Sequence, residues 1–152
     1  MSMCMGNTPL MAAINFNRKE IAEILLKQEN IQVNAKNFLG FTALMDATLD
    51  NKIDMVKILL AHPRIDVNVQ DSSGNTSLHI VAEHGYENIA EYLVERGADI
   101  NKKNKQGDTA LHVATERGDE NTVRYLVENY ADINIKNSRK YTPLHIAVEH
   151  GY

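Results

Sequence analysis

Apolar and polar positions follow a pattern that recurs along this chain. After polar breaks at Asn17, Asn51, Gly85 and Gly118, apolar residues return at helical spacing: Ile21, Ile24 and Leu25, then Met55, Ile58 and Leu59, then Ile89, Tyr92 and Leu93. Thr122, Tyr125 and Leu126 hold the same places in the fourth copy. Ahead of each break lies a shorter apolar stretch that opens on a threonine, so the pattern predicts pairs of helices, the second longer and outer. Thr8 and Thr142 are followed by Pro9 and Pro143. A threonine cap and a first-turn proline together mark a helix start, because the cap oxygen satisfies an orphan N–H and the proline has none to lose. The segments running from Asn34, Asn68, Asn101 and Asn134 to the next threonine are polar, and three carry a glycine, which predicts hairpin-like loops.

The recurrence has a fixed period. Thr, then a small residue or Pro, then Leu begins at Thr8, Thr42, Thr76, Thr109 and Thr142, at offsets of 34, 34, 33 and 33. Gly6, Gly40, Gly74 and Gly107 each stand two places before the threonine. Self-similarity at this period is the signature of a stacked repeat array.

Composition narrows the function classes. The 152 residues are 43% apolar and 24% charged, as in one globular domain. No apolar stretch approaches the roughly 18 residues of a membrane helix, and no basic-then-apolar export signal opens the chain. A formal charge of −4 opposes phosphate backbones, so neither nucleic acid nor membrane is an expected partner. The single cysteine, Cys4, cannot form an internal disulfide, which fits a reducing compartment, the cytoplasm or also the nucleus. Phosphate loops, nucleophile elbows and His-Glu-x-x-His are all missing, so neither an enzyme nor a cofactor is expected.

Thr76-Ser-Leu-His-Ile-Val-Ala, Gly85, the run Ile89-Ala-Glu-Tyr-Leu-Val and Gly97-Ala-Asp-Ile-Asn101 resemble an ankyrin repeat, and the resemblance covers about residues 5 to 152. It implies an all-α solenoid of stacked helix-turn-helix units with projecting β-hairpin-like fingers, in one domain over residues 1–152. The repeats would span about residues 5–37, 38–71, 72–104, 105–137 and 138–152, the last incomplete. It also implies a non-catalytic scaffold that binds another protein through finger tips and the concave inner-helix face. The alternative is a structural spacer or targeting segment of a larger polypeptide that carries an enzyme elsewhere. Positions matching the family's contact sites include Phe38, Leu39, Phe41, Lys105, Asp108, Arg139 and Tyr141 in the fingers. On the inner helices they include Phe16, Leu49, Asp50, Glu83, His84, Glu116, Arg117 and Glu149.

All three phenylalanines, Phe16, Phe38 and Phe41, fall on these positions in the first two repeats, beside Leu39 and Leu49. They read either as an apolar anchor site or as side chains folded back on the adjoining finger. Glu83, Glu116 and Glu149 recur at one place on successive inner helices, with Asp46 and Asp50 extending the sign, either as an acidic ladder or as plain solvated surface. His79, His112 and His145 occur once per repeat, roughly 8–10 Å apart if the helices stack, too far to share a metal. The resemblance makes them cap-and-link residues, replaced by Met11 and Met45 in repeats one and two, where linkage should be weaker. It also matches Asn34, Asn68, Asn101 and Asn134 to loop asparagines that some relatives carry hydroxylated, and leaves open whether these are.

The ends read as those of a piece of a longer array. The fifth repeat stops at Tyr152, Met3, Cys4 and Met5 replace a polar first finger, and weak end-to-end self-association is expected from apolar ends. Val123, Leu126, Val127, Ile146 and Val148 should lose their cover there.

Overall fold

The computed structural model describes residues 6–152. Cys4, Met3 and Met5 lie outside the described residues. Nine α-helices are present among the described residues: α1 Pro9–Asn15, α2 Lys19–Leu26, α3 Ala43–Leu49, α4 Ile53–Leu60, α5 Ser77–His84, α6 Glu87–Glu95, α7 Ala110–Arg117, α8 Glu120–Glu128 and α9 Pro143–His150. Odd-numbered inner helices pack on one another in chain order, and even-numbered outer helices do the same behind them. Each outer helix exceeds its inner partner by one residue, as the pattern predicts.

Every inner helix starts after a threonine in extended conformation, because that residue closes the loop while its hydroxyl faces the first turn. Repeats three to five add a histidine that reaches back. The Thr76 N–H donates to His79 Nδ1 at 3.1 Å, and the opposite ring nitrogen meets the Asp108 carbonyl of the next repeat at 3.0 Å. A carbonyl only accepts and an amide N–H only donates, so His79 is the neutral Nε2–H tautomer. Burial holds its pKa below the usual histidine value, consistent with that form. His112 repeats the arrangement, from Thr109 to the Tyr141 carbonyl. Met11 accepts the Thr8 N–H through sulfur at 3.4 Å, a weaker version with no bond to the following repeat.

Three further ladders tie the repeats together. At the loop bases, Asn34 donates to the Arg64 carbonyl and accepts from the Asp66 N–H, and Asn68 does the same with Gly97 and Asp99. In each finger an Asn or Asp closes the turn: Asn37, Asp71, Asn104 and Asn137 each accept two backbone N–H groups from the residues two and four ahead. Between fingers, the Ser72 N–H donates to the Leu39 carbonyl at 3.2 Å, Lys105 to Ser73 at 3.0 Å and Ser138 to Gln106 at 2.9 Å.

The core is one continuous slab of Leu, Ile, Val, Met and Ala between the two helical layers. Its ends are less covered. Met55 and Ile89 are buried and Ile58 and Tyr92 half-buried, whereas Ile21 and Ile24, at the matching places on α2, are exposed because among the described residues no outer helix stacks on their far side. At the other end Val127 and Val148 are exposed as expected, and Leu144 is exposed as well, but Val123 is half-buried and Leu126 and Ile146 are buried, Leu126 within the slab.

Tyr130 ends the fourth outer helix at φ +68° and is 91% exposed, so its ring packs on nothing that repays a left-handed backbone. Gly97 holds the matching place at φ +86°. Tyr130→Gly is expected to raise stability by about 1 kcal/mol, visible as a higher melting temperature. A fall in melting temperature would show that the phenol ring contributes a contact.

Candidate functional site

The residues singled out in the sequence fall into three groups along the inner-helix and finger side. The first is apolar. Phe16 terminates α1 and is 75% exposed, Phe38 at the second finger tip is 80% exposed, Leu39 beside it is 50% exposed, and Leu49 at the end of α3 is 38% exposed. Phe38 does lean on its neighbour, since a Cβ at Gly6 would come within 2.7 Å of its ring, yet most of the ring faces outward. Phe41 differs. It is half-buried beneath the finger, and its N–H donates to Asn37 and its carbonyl accepts from the Asn37 N–H.

Beside this apolar group sit Asp46 and Asp50. Asp50 pairs with Lys52 at 2.6 Å, and the same ammonium donates to the Ile14 and Asn15 carbonyls at the end of α1, at 3.1 and 2.9 Å. Lys52 thus caps the helix of one repeat from the next, where the free carbonyls favour a cation. Asp46 is half-buried and accepts from Asn15 Nδ2 at 3.5 Å. Burial pushes its carboxyl up to about 6, with Asp50 adding to the rise and Asn15 and Lys52 opposing it.

That shift carries a sign. An unfolded aspartate titrates near 3.8, so between about pH 4 and pH 6 the folded chain keeps a proton that the unfolded chain has lost. Stability therefore falls as pH rises through this window, and the whole cost is present at neutral pH. Asp46→Asn is expected to melt higher than wild type at neutral pH and to lose the slope between about pH 4 and 6. A lower melting temperature at neutral pH would mean that the charge itself stabilises α3.

The middle group is internally paired. Glu83 accepts from Arg117 of the next inner helix at 2.6 Å, so the expected acidic ladder is broken at its first rung, while Glu116 and Glu149 remain exposed without an acid-base partner among the described residues. His84 stacks on Tyr86 with ring centroids 5.4 Å apart, and its Nδ1 meets the Ile80 carbonyl at 3.0 Å.

The third group surrounds a hollow of about 620 Å³ lined by Lys105, Gln106, Asp108, Glu116, Ser138 and Arg139, together with Asn137. Asp108 accepts from Asn137 Nδ2 at 2.7 Å, which locks fingers four and five together. Arg139 lies over the half-buried Tyr141 ring, 4.9 Å from its centroid, and Tyr141 stacks in turn on His145. Both aromatic contacts fix the finger tip.

Sequence reasoning missed two features of this side. Asn37, Asp71, Asn104 and Asn137 recur at the array's own period, so the turn-closing role was available in the sequence. Lys52 was not, since Tyr86 and Asp119 stand in its place in the following repeats and share no chemistry with it.

No curated protein matches the chain. Among families, the description "Ankyrin repeats (3 copies)" matches over residues 2–71, 31–104 and 78–152, which together take in nearly the whole sequence. Such repeats are in general protein–protein interaction modules and are typically non-catalytic. With five threonine-led inner helices, four outer helices and a hydrogen-bonded row of fingers, this chain belongs to the ankyrin repeat family.

Proposed function

We propose that the chain is a non-catalytic scaffold that grips a partner protein through the finger tips and the concave inner-helix face of its first two repeats. One observation carries the reading: Phe16 and Phe38 hold large apolar rings in water at places where a polar residue would cost nothing. Exposed aromatics such as these are what interface anchors look like before the partner arrives, because each buries much area with few rotors to freeze. Leu39 and Leu49 add exposed apolar surface on the same side, and Phe41 is half-buried. Asp46 and Asp50 give that patch an acidic border. The inner-helix charges of repeats three to five, including Glu83, Arg117 and Glu149, orient the partner rather than supply its affinity, since exposed charges are screened and individually weak.

The test is affinity capture with the immobilised chain and with its Phe16→Ser/Phe38→Ser variant. Partners that depend on the patch are retained by the first and lost from the second. A partner retained equally by both places the site elsewhere.

A further inference from the structure

Charge is divided unevenly over the fingers. The fourth and fifth, residues 101–108 and 134–141, carry six cations, Lys102, Lys103, Lys105, Lys136, Arg139 and Lys140, against one carboxylate, Asp108. All but the half-buried Lys102 are exposed, and among the described residues none of the six pairs with an acid within 4.0 Å. Asp108 already has one oxygen on Asn137. The two fingers are joined along their length, by Ser138 N–H to the Gln106 carbonyl at the tip and by Lys103 Nζ to the Lys136 carbonyl at the base, at 2.9 and 3.0 Å. Their cations therefore share one surface.

Lys140 makes that surface different from the flank of any other finger. A Cβ at Gly40, Gly74 or Gly107 would stand 2.6, 2.7 or 2.8 Å from the amide nitrogen of the following finger. Lys140 occupies the same place at φ +66° and does carry a Cβ. The position from which another finger would bond the Arg139 carbonyl is thus filled, and a lysine on a ladder edge is a device against strand pairing. What this flank offers is positive charge, not backbone hydrogen bonds.

We propose that fingers four and five form a docking surface for an acidic segment of a partner polypeptide, its carboxylates set against Lys105, Arg139 and Lys140 at the tips and against Lys103 and Lys136 at the base. Arg139 is already held over Tyr141, so its guanidinium is ordered before binding. Glu116 lines the hollow behind the tips and keeps an acidic side chain from sinking deeper. A short segment suits this surface better than a long polyanion. Glu116 sits among these cations, and the formal charge of −4 on the whole chain opposes a nucleic acid that runs on past the fingers, over a Debye length of about 8 Å. This surface is separate from the Phe16 and Phe38 patch and stands whether or not that patch binds.

The experiment is an amide NMR titration of the whole chain with an acetylated peptide alternating glutamate and serine, at low and at physiological salt. Shifts are expected at residues 101–108 and 134–141, with affinity falling as salt rises. Lys105→Glu/Arg139→Glu/Lys140→Glu should weaken binding by about tenfold or more while leaving circular dichroism unchanged, since all three side chains are exposed. Glu116→Gln should strengthen it, and Phe16→Ser/Phe38→Ser should leave it as it was. Absence of shifts at low salt, shifts scattered over the molecule, or undiminished binding by the charge-reversed variant would overturn the proposal. So would tighter binding of single-stranded DNA, or of phosphatidylserine vesicles, through the same residues.

Discussion

Gly74→Ala should destabilise the stack by about 3 kcal/mol, measured by urea unfolding, because two costs fall on one methyl group. The backbone there is left-handed at φ +81°, which by itself costs an alanine on the order of 1 kcal/mol. The added Cβ would also stand 2.7 Å from the Lys105 amide nitrogen, which is backbone and donates to the Ser73 carbonyl. It cannot rotate away, so the next finger must shift and its bond lengthen. Gly97→Ala separates the two costs. That site has φ +86° but nothing within 4 Å of an added Cβ, so only the left-handed term of about 1 kcal/mol should appear. Equal losses at the two sites would mean that finger-to-finger packing contributes little.

The second large effect concerns the histidine links. His112→Ala is expected to cost about 3 kcal/mol, because the fully buried ring serves the Thr109 N–H on one side and the Tyr141 carbonyl of the next repeat on the other. Removing it strands both partners, and each unpaired buried group costs roughly 1–3 kcal/mol. His145 supplies the comparison. It makes the same bond to its own Thr142 but is exposed, so water replaces it, and His145→Ala should cost less than about 1 kcal/mol. A loss at His145 as large as that at His112 would refute the link between repeats as the source of the effect.

Much of this architecture is written in the sequence. The threonine period sets the five inner helices, and the breaks at Asn17, Asn51, Gly85 and Gly118 coincide with left-handed backbone at all four positions. The histidines show their role by recurring. The fingers were legible as turns but not as a ladder, since bonds such as Ser72 to Leu39 join residues with nothing complementary in type. Exposure was the hardest quantity to read. Phe16, Phe38 and Phe41 are equivalent in the sequence, yet Phe41 is half-buried because it stands just ahead of Thr42, where the chain turns inward. In the same way Ile21 resembles Met55 and Ile89, and only stacking, which depends on what lies beyond α2, separates them. Pairing of charges was also hidden: Arg117 closing on Glu83 spans two repeats, and no periodicity announces it.

The central claim, that affinity resides in the aromatic patch on the finger and inner-helix side, is tested most directly by the dissociation constant of one captured partner measured against three forms of the chain. These are wild type, Phe16→Ser/Phe38→Ser, and Ile21→Ser/Ile24→Ser, the last removing another exposed apolar pair, from the outer helix α2. The account predicts a loss of more than about 2 kcal/mol, near thirtyfold in affinity, for the phenylalanine pair and an unchanged affinity for the isoleucine pair. A partner that tolerates the phenylalanine changes and loses its grip on the isoleucine variant would contradict it.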